Sequence, residues 1–115
     1  MNITKAKALC RSFPGATEDT KWGADLVFSV GEKMFAVTAL EDKAKGISFK
    51  VDDDRFLELT DRPGIIPAPY LARAKWVYIE DLKSISDAEA GDLLKRSYEL
   101  VFAKLTKKLQ REIQG

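Results

Sequence analysis

The hydrophobic positions of this chain change their period along its length, and this change predicts its elements. Apolar residues recur at helical spacing from residue 3 to residue 12, until Phe13-Pro14-Gly15 ends the pattern. Pro14 disfavours a helical conformation at Phe13, and Gly15 tolerates a positive φ. Alternation with a period of two residues follows, and it predicts strands at about residues 18–22, 25–30, 34–40 and 46–51.

The alternation also predicts which side chains share one side of each strand. Gly31-Glu32 is expected to form the turn between the second and third strands. The sets that share a side are Leu26, Phe28 and Val30, then Met34, Ala36 and Thr38, then Ile47, Phe49 and Val51. Lys50 is expected to point away from the last of these sets. The charged connection 41–46 has no apolar anchor, which favours an exposed hairpin tip.

A short helix, a loop, a strand and a long helical region follow. Asp52-Asp53-Asp54 is typical of a helix start rather than a metal site, because neighbouring residues do not converge on one ion. Residues 61–69, with three prolines, are expected to form a loop, and residues 75–80 are expected to form a strand with Trp76 and Tyr78 on one side.

The last apolar stripe begins at a capping box, Ser86-Asp87-Ala88-Glu89, and runs to Ile113. One unbroken helix from 87 to 113 would be about 40 Å long, whereas a domain of this size has a radius of gyration of about 13 Å. The helix must break near Thr106 or extend into a partner, and we favour the break.

The whole chain, residues 1–115, is thus expected to be one α+β domain. We predict a two-layer sandwich with a single twisted antiparallel sheet covered by the N- and C-terminal helices.

Composition removes several functional classes. The chain has 19 basic and 18 acidic residues, no histidine and one cysteine, Cys10. The missing histidine removes the commonest general base and a common metal ligand, and the glycines form no phosphate-binding loop. We therefore expect a non-enzymatic protein without a cofactor or a metal site.

Cys10 lies on the apolar side of the first helix, where a buried thiol is expected. No apolar segment is long enough to span a membrane and no secretory signal is visible, so a cytoplasmic location is expected.

Several motifs resemble the MmcQ/YjbR family over nearly the whole chain. They are Phe13-Pro14-Gly15, Trp22-Gly23, Lys50, Pro67-x-x-Tyr70, Trp76-Val77 and Ser97-Tyr98-x-Leu100-Val101. The resemblance implies a frataxin-like (CyaY-like) fold, which agrees with the predicted sandwich. Iron binding in frataxins is associated with an acidic ridge on the first helix, whereas this first helix carries Lys5, Lys7 and Arg11. Fold likeness therefore does not transfer iron binding.

The resemblance also implies DNA binding, because the paired hairpins of this family have been compared with a double-wing motif. The two wings would be the turn 31–33 and the connection 41–46. The residues expected to contact nucleic acid are Lys33, Lys43, Lys45, Lys50, Arg73, Lys75, Trp22 and Trp76. Lysines and arginine would neutralise phosphates, and an exposed indole would stack on bases. Family members often have histidine before the Trp-Val pair, whereas this chain has Lys75, which suits anion binding.

Two other interpretations stay open. The lysines also suit ordinary solvated hairpins, since the near-neutral charge predicts only weak, salt-sensitive DNA binding by a monomer or weak dimer. Alternatively, a groove lined by Trp22, Lys50, Trp76, Ser97 and Tyr98 would bind a small anion or a protein partner. The same five residues also suit a packed aromatic core with one long lysine.

Overall fold

The computed structural model describes residues 1–41 and 44–115 and contains one six-stranded sheet with four α-helices. In chain order the elements are α1 (Ile3–Ser12), β1 (Ala16–Lys21), β2 (Asp25–Val30), β3 (Lys33–Ala39), β4 (Ile47–Lys50), α2 (Asp53–Thr60), β5 (Ile65–Pro67), β6 (Trp76–Ile79), α3 (Asp87–Phe102) and α4 (Lys107–Gln114). Single-turn 3₁₀ helices lie at Ala72–Ala74 and Leu82–Ser84. The predicted α1, four-strand meander and α2 are confirmed to within about two residues, whereas β5 was missed inside the proline-rich loop.

All six strands pair antiparallel in the order β1-β2-β3-β4-β6-β5. Helices α1 and α3 contact each other and pack on the sheet, with α3 crossing β2, β3 and β4. The core between the two layers contains Leu26, Phe28, Val30, Phe35, Ala36, Ile47, Phe49, Val77, Ile79, Leu94 and Val101. This arrangement is the predicted α+β two-layer sandwich.

A bulge in β3 changes the alternation expected for that strand. Phe28 pairs with Ala36 but Ser29 pairs with Met34, so Phe35 is an extra residue on β3. Phe35 is fully buried in the core, whereas Met34 is only half-buried beside Ser29. The prediction that Met34 shares a side with Ala36 is therefore wrong, because the inserted residue turns Met34 to the other side of the sheet.

The C-terminal helical region breaks at Thr106, as expected. The Thr106 side chain accepts a hydrogen bond from the Leu109 amide and caps α4. The Gln110 side-chain amide donates to the carbonyls of Phe102 and Leu105 at 3.1 Å each, so it satisfies groups that the end of α3 leaves open. The break lets α4 fold back onto the domain, whose radius of gyration is 13.5 Å.

The connection between β3 and β4 is anchored more firmly than its sequence suggested. Ala44 is buried, the Lys45 carbonyl accepts a hydrogen bond from the Leu82 amide, and the Thr38 hydroxyl donates to the Gly46 carbonyl. The expectation of a connection without an apolar anchor is therefore wrong for residues 44–46. Glu41 and Lys45 are exposed, as predicted, and Asp42 and Lys43 lie outside the described residues.

Candidate functional site

Among the described residues, those predicted to contact nucleic acid lie at two opposite ends of the sheet. Lys33 follows the β2–β3 turn and pairs with Val30, while Lys50, the last residue of β4, pairs with Trp76, the first residue of β6. Antiparallel pairing places these termini at one end. Strand β3 has seven residues, so the 31–33 turn and the 41–46 connection are separated by about 23 Å of strand. The described part of the second predicted wing, residues 41 and 44–46, therefore does not share one surface with the 31–33 turn.

The end that holds Lys33 and Lys50 is rich in cations, and we call it the basic end: Lys33, Lys50, Arg73, Lys75 and Lys104. The Lys50 ammonium donates a hydrogen bond of 2.5 Å to the Ala74 carbonyl, which joins β4 to the β5–β6 loop. The Lys75 ammonium lies 5.1 Å from the centroid of the Phe56 ring. Lys104 comes just before Leu105, whose side chain packs against Gly31 in the β2–β3 turn.

The electrostatics of Lys50 reflect this crowding of positive charge. Partial burial lowers the pKa of the Lys50 ammonium, and the positive charge of Lys104 lowers it further, while Asp53 acts in the opposite direction. Among residues 1–41 and 44–115, none of the five cations of the basic end lies within 4.0 Å of a carboxylate. By contrast, Arg11, Arg55, Arg62 and Arg96 are each paired with an acid. The basic end thus has positive charge left for an external anion.

The β5–β6 loop brings an aromatic side chain to this end that the sequence interpretation did not select. Tyr70 is 104% exposed and has a φ of 66°, in the left-handed region that bulky residues seldom adopt. The only sequence signal for it was the Pro67-x-x-Tyr70 motif, which was used to identify the family. Trp76, selected instead as an exposed stacking surface, is 5% exposed, so that prediction is wrong. Trp76 is the first residue of β6, which pairs with β4 on one side and with β5 on the other.

Trp22 lies at the opposite end of the sheet. It is 68% exposed at the β1–β2 turn, and the neighbouring Ala24 carbonyl accepts a hydrogen bond from the Leu40 amide. The Trp22 turn is therefore close to the start of the β3–β4 connection and to Glu41. Lys45 is exposed at the same end, and Lys43 lies outside the described residues. Trp22 and Lys45 are thus not brought together with Lys33, Lys50, Arg73 and Lys75.

Two of the residues predicted to line the alternative groove, Ser97 and Tyr98, make contacts within the fold. Ser97 accepts a hydrogen bond from the Lys50 amide at 2.9 Å and donates one to the Phe35 carbonyl at 2.7 Å. Tyr98 donates to the Pro14 carbonyl, its ring lies 4.9 Å from that of Phe13, and burial raises the pKa of its hydroxyl. Both side chains thus have partners within the fold. The groove stays a prediction.

Two cavities lie near predicted residues, and neither has the size typical of a ligand site. One, between Lys50 and Arg96, measures about 10 Å³, roughly the room that a single water needs. The other measures about 230 Å³ and lies beside Lys45, Asp81 and Lys83, at the opposite end from the basic end. Pockets for small molecules usually measure about 300–1,000 Å³. The basic end is therefore the stronger candidate among the described surfaces.

Cys10 is expected to resist chemical modification in the folded protein. Burial raises the pKa of its thiol to about 12, so almost no reactive thiolate exists at pH 8. A disulfide reagent such as DTNB at pH 8 should label Cys10 only as fast as the protein unfolds. Addition of denaturant should release one thiol per chain. Stoichiometric labelling within minutes, while circular dichroism still shows native protein, would contradict this prediction.

The fold and the candidate site together define an α+β domain with a single antiparallel sheet and a cationic, aromatic surface at one sheet end. The YjbR family model matches residues 11–100, and the chain belongs to the YjbR family. No curated protein matches the chain.

Solved structures similar to this protein include the following two. Protein DR2400 of Deinococcus radiodurans, which carries a DUF419 domain, is 29% identical with a TM-score of 0.86, over 98% of this chain and 88% of that chain. A protein from Pseudomonas syringae is 21% identical with a TM-score of 0.71, over 88% of this chain and 99% of that chain, which supports the fold alone. Within the described residues, no helix is both long and apolar enough to cross a membrane.

Proposed function

We propose that this YjbR-family protein is a non-enzymatic nucleic-acid-binding protein and that the basic end is its phosphate-binding surface. The observation that carries this proposal is the convergence of cations from separate parts of the chain. Lys33 begins β3, Lys50 ends β4, and Lys104 follows α3. Arg73 and Lys75 come from the β5–β6 loop. Segments distant in sequence thus present positive charge on one surface, and no ion pair to a described carboxylate neutralises it.

A polyanion suits this surface better than one small anion. The cations are spread over the ends of several strands instead of lining one enclosed cavity, and phosphates repeat along a nucleic-acid backbone. Bound phosphate would also relieve the repulsion between Lys50 and Lys104 that lowers the Lys50 pKa. Glu32 and Asp53 lie nearby and would oppose binding. The proposal therefore predicts moderate affinity.

The overall charge limits the strength and the range of this interaction. The net charge is +1, so long-range attraction of the whole molecule to nucleic acid is small. Binding must come from the local cations and should fall steeply as salt rises. The proposal also assigns the protein to the cytoplasm, where nucleic acids are accessible.

Charge reversal at the two sheet ends tests the proposal. The variant Arg73→Glu/Lys104→Glu changes two exposed cations of the basic end. The control Lys45→Glu/Lys83→Glu makes the same change in net charge at the opposite end, where the Leu82 amide donates to the Lys45 carbonyl. Fluorescence anisotropy with labelled 20-nucleotide single strands and 20-base-pair duplexes, from about 50 to 200 mM salt, measures both.

The basic-end variant is expected to bind about tenfold or more weakly near 50 mM salt. On a single strand its salt slope should shrink by about 0.7 for each phosphate that it no longer neutralises. The control should weaken much less. Equal weakening in the two variants would mean that net charge alone governs binding and would reject the basic end as the site. Absence of wild-type binding at the lowest salt would reject nucleic-acid binding itself.

A further inference from the structure

The β5–β6 loop holds Tyr70 in an unusual state for an aromatic residue of a folded protein. Its side chain is 104% exposed, so it contributes nothing to the core. Its φ of 66° costs conformational energy that glycine or asparagine would largely avoid. Residues held in such sparsely populated conformations cluster at binding sites. Trp22 has the same two features at the opposite end of the sheet, so its position beside the cations of the basic end is what distinguishes Tyr70.

The loop that carries Tyr70 is held in place on both sides. The Ala68 amide donates to the Trp76 carbonyl at 3.0 Å, and the Trp76 amide donates to the Leu71 carbonyl at 3.3 Å. Pro67 and Pro69 restrict the backbone before Tyr70. The backbone around Tyr70 therefore has little conformational freedom left to lose when a ligand binds, so the entropic cost of binding is small.

Positive charge surrounds the base of the same loop. Arg73 is exposed in the 3₁₀ helix three residues after Tyr70. The Lys50 ammonium bonds to Ala74, the last residue of that helix. An aromatic ring therefore projects from a surface whose cations are available to phosphates. Stacking aromatics beside a cationic groove are the arrangement by which proteins bind single-stranded nucleic acid.

We infer that Tyr70 is a stacking platform for an unpaired base and that the basic end consequently prefers single-stranded nucleic acid to duplex. This inference rests on the function proposed above and adds the form of the ligand. Bases in a duplex are already stacked on their neighbours, so the ring can reach a base face only at an end or after unstacking. In a single strand, every base presents a face that can stack on Tyr70 without sequence preference.

An abasic oligonucleotide separates stacking from charge. We would compare a 12-nucleotide oligothymidylate, an abasic strand with the same number of phosphates, and a 12-base-pair duplex by anisotropy at one low salt concentration. The test variant is Tyr70→Asn, because asparagine tolerates the left-handed region and removes the ring. The matched control is Tyr70→Phe, which keeps the ring and removes only the hydroxyl. Thermal unfolding of both variants checks that the loop change leaves the fold intact.

Wild type is expected to bind oligothymidylate about 5- to 140-fold more tightly than the abasic strand, from the usual contribution of one stacked base. Tyr70→Asn should lose that preference while binding the abasic strand as wild type does, and Tyr70→Phe should keep it. Equal binding of both strands by wild type, or tighter binding of the duplex, would overturn the inference. If the Arg73→Glu/Lys104→Glu variant still binds more weakly in that case, the proposed function survives. Absence of any wild-type binding overturns both.

Discussion

Replacing Gly46 with alanine is expected to destabilise the protein by about 3 kcal/mol. Gly46 immediately precedes β4, where the chain passes close to β6. A Cβ atom there would lie well under 3.0 Å from both the Ile79 carbonyl oxygen and the Tyr78 hydroxyl oxygen. The tyrosine side chain can move aside, but the carbonyl belongs to β6, whose Ile79 pairs with Ile47. Relief of the clash therefore requires separation of paired strands.

Gly91 offers a control for the same substitution. Gly91 lies inside α3, and its nearest neighbour to an added Cβ is the Leu9 side chain at 3.8 Å, an ordinary contact. Gly91→Ala should stabilise the protein by about 0.5–1 kcal/mol, because alanine favours helix more than glycine does. Urea unfolding monitored by circular dichroism measures both variants. Destabilisation of less than about 1 kcal/mol in Gly46→Ala would show that the strands adjust more easily than close packing implies.

Replacing Ser97 with alanine should cost about 2–4 kcal/mol. The Ser97 hydroxyl bridges backbone groups of two neighbouring strands, in place of a direct hydrogen bond between them. Phe35 and Lys50 stand next to the paired residues Ala36 and Phe49, and the serine oxygen bridges the Phe35 carbonyl and the Lys50 amide at 2.7 and 2.9 Å. Alanine would leave a buried carbonyl and an amide without partners. Each such group costs about 1–3 kcal/mol.

Ser12→Ala is the matched control for Ser97→Ala. The Ser12 hydroxyl donates to the Leu9 carbonyl at the exposed end of α1, where water can replace it. This variant should change the free energy of unfolding by no more than about 0.5 kcal/mol. Hydrogen exchange gives a local measurement, since the Lys50 amide should exchange faster in Ser97→Ala than in wild type. An unchanged rate at Lys50 would show that another group replaces the hydroxyl.

These contacts suggest why motifs can identify a family without identifying an activity. The Ser97 hydroxyl donates a hydrogen bond to the carbonyl of the bulge residue Phe35, and the Tyr98 hydroxyl donates one from α3 to the Pro14 carbonyl. Trp76 is 5% exposed, and it pairs with Lys50 of β4. Each of these recognisable residues holds elements together. The proposed binding instead uses exposed residues of lower sequence distinctiveness such as Arg73 and Lys104.

The candidate site was predictable only in part. Lys33, Lys50, Arg73 and Lys75 were selected from the sequence, and the structure brings them to one end. The sequence could not show whether Trp22 and Lys45 lie at the same end of the sheet as these four residues, because that depends on the directions in which the strands run. Lys104 reaches the same end because the chain breaks at Thr106 and α3 ends beside the Gly31 turn. Tyr70 was missed because exposure of an aromatic ring depends on what packs around it.

The sequence by itself determined the local features of this protein, because they arise from interactions between residues a few positions apart. Helix ends follow from proline, glycine and capping side chains, and strand faces follow from the alternation of Leu26, Phe28 and Val30. Only the tertiary structure decided the position of the bulge at Phe35, the burial of Trp76 and the assembly of the basic end. The bulge depends on how β2 pairs with β3, and the other two features depend on contacts between segments far apart in the chain, so the period of apolar residues along one segment does not decide them.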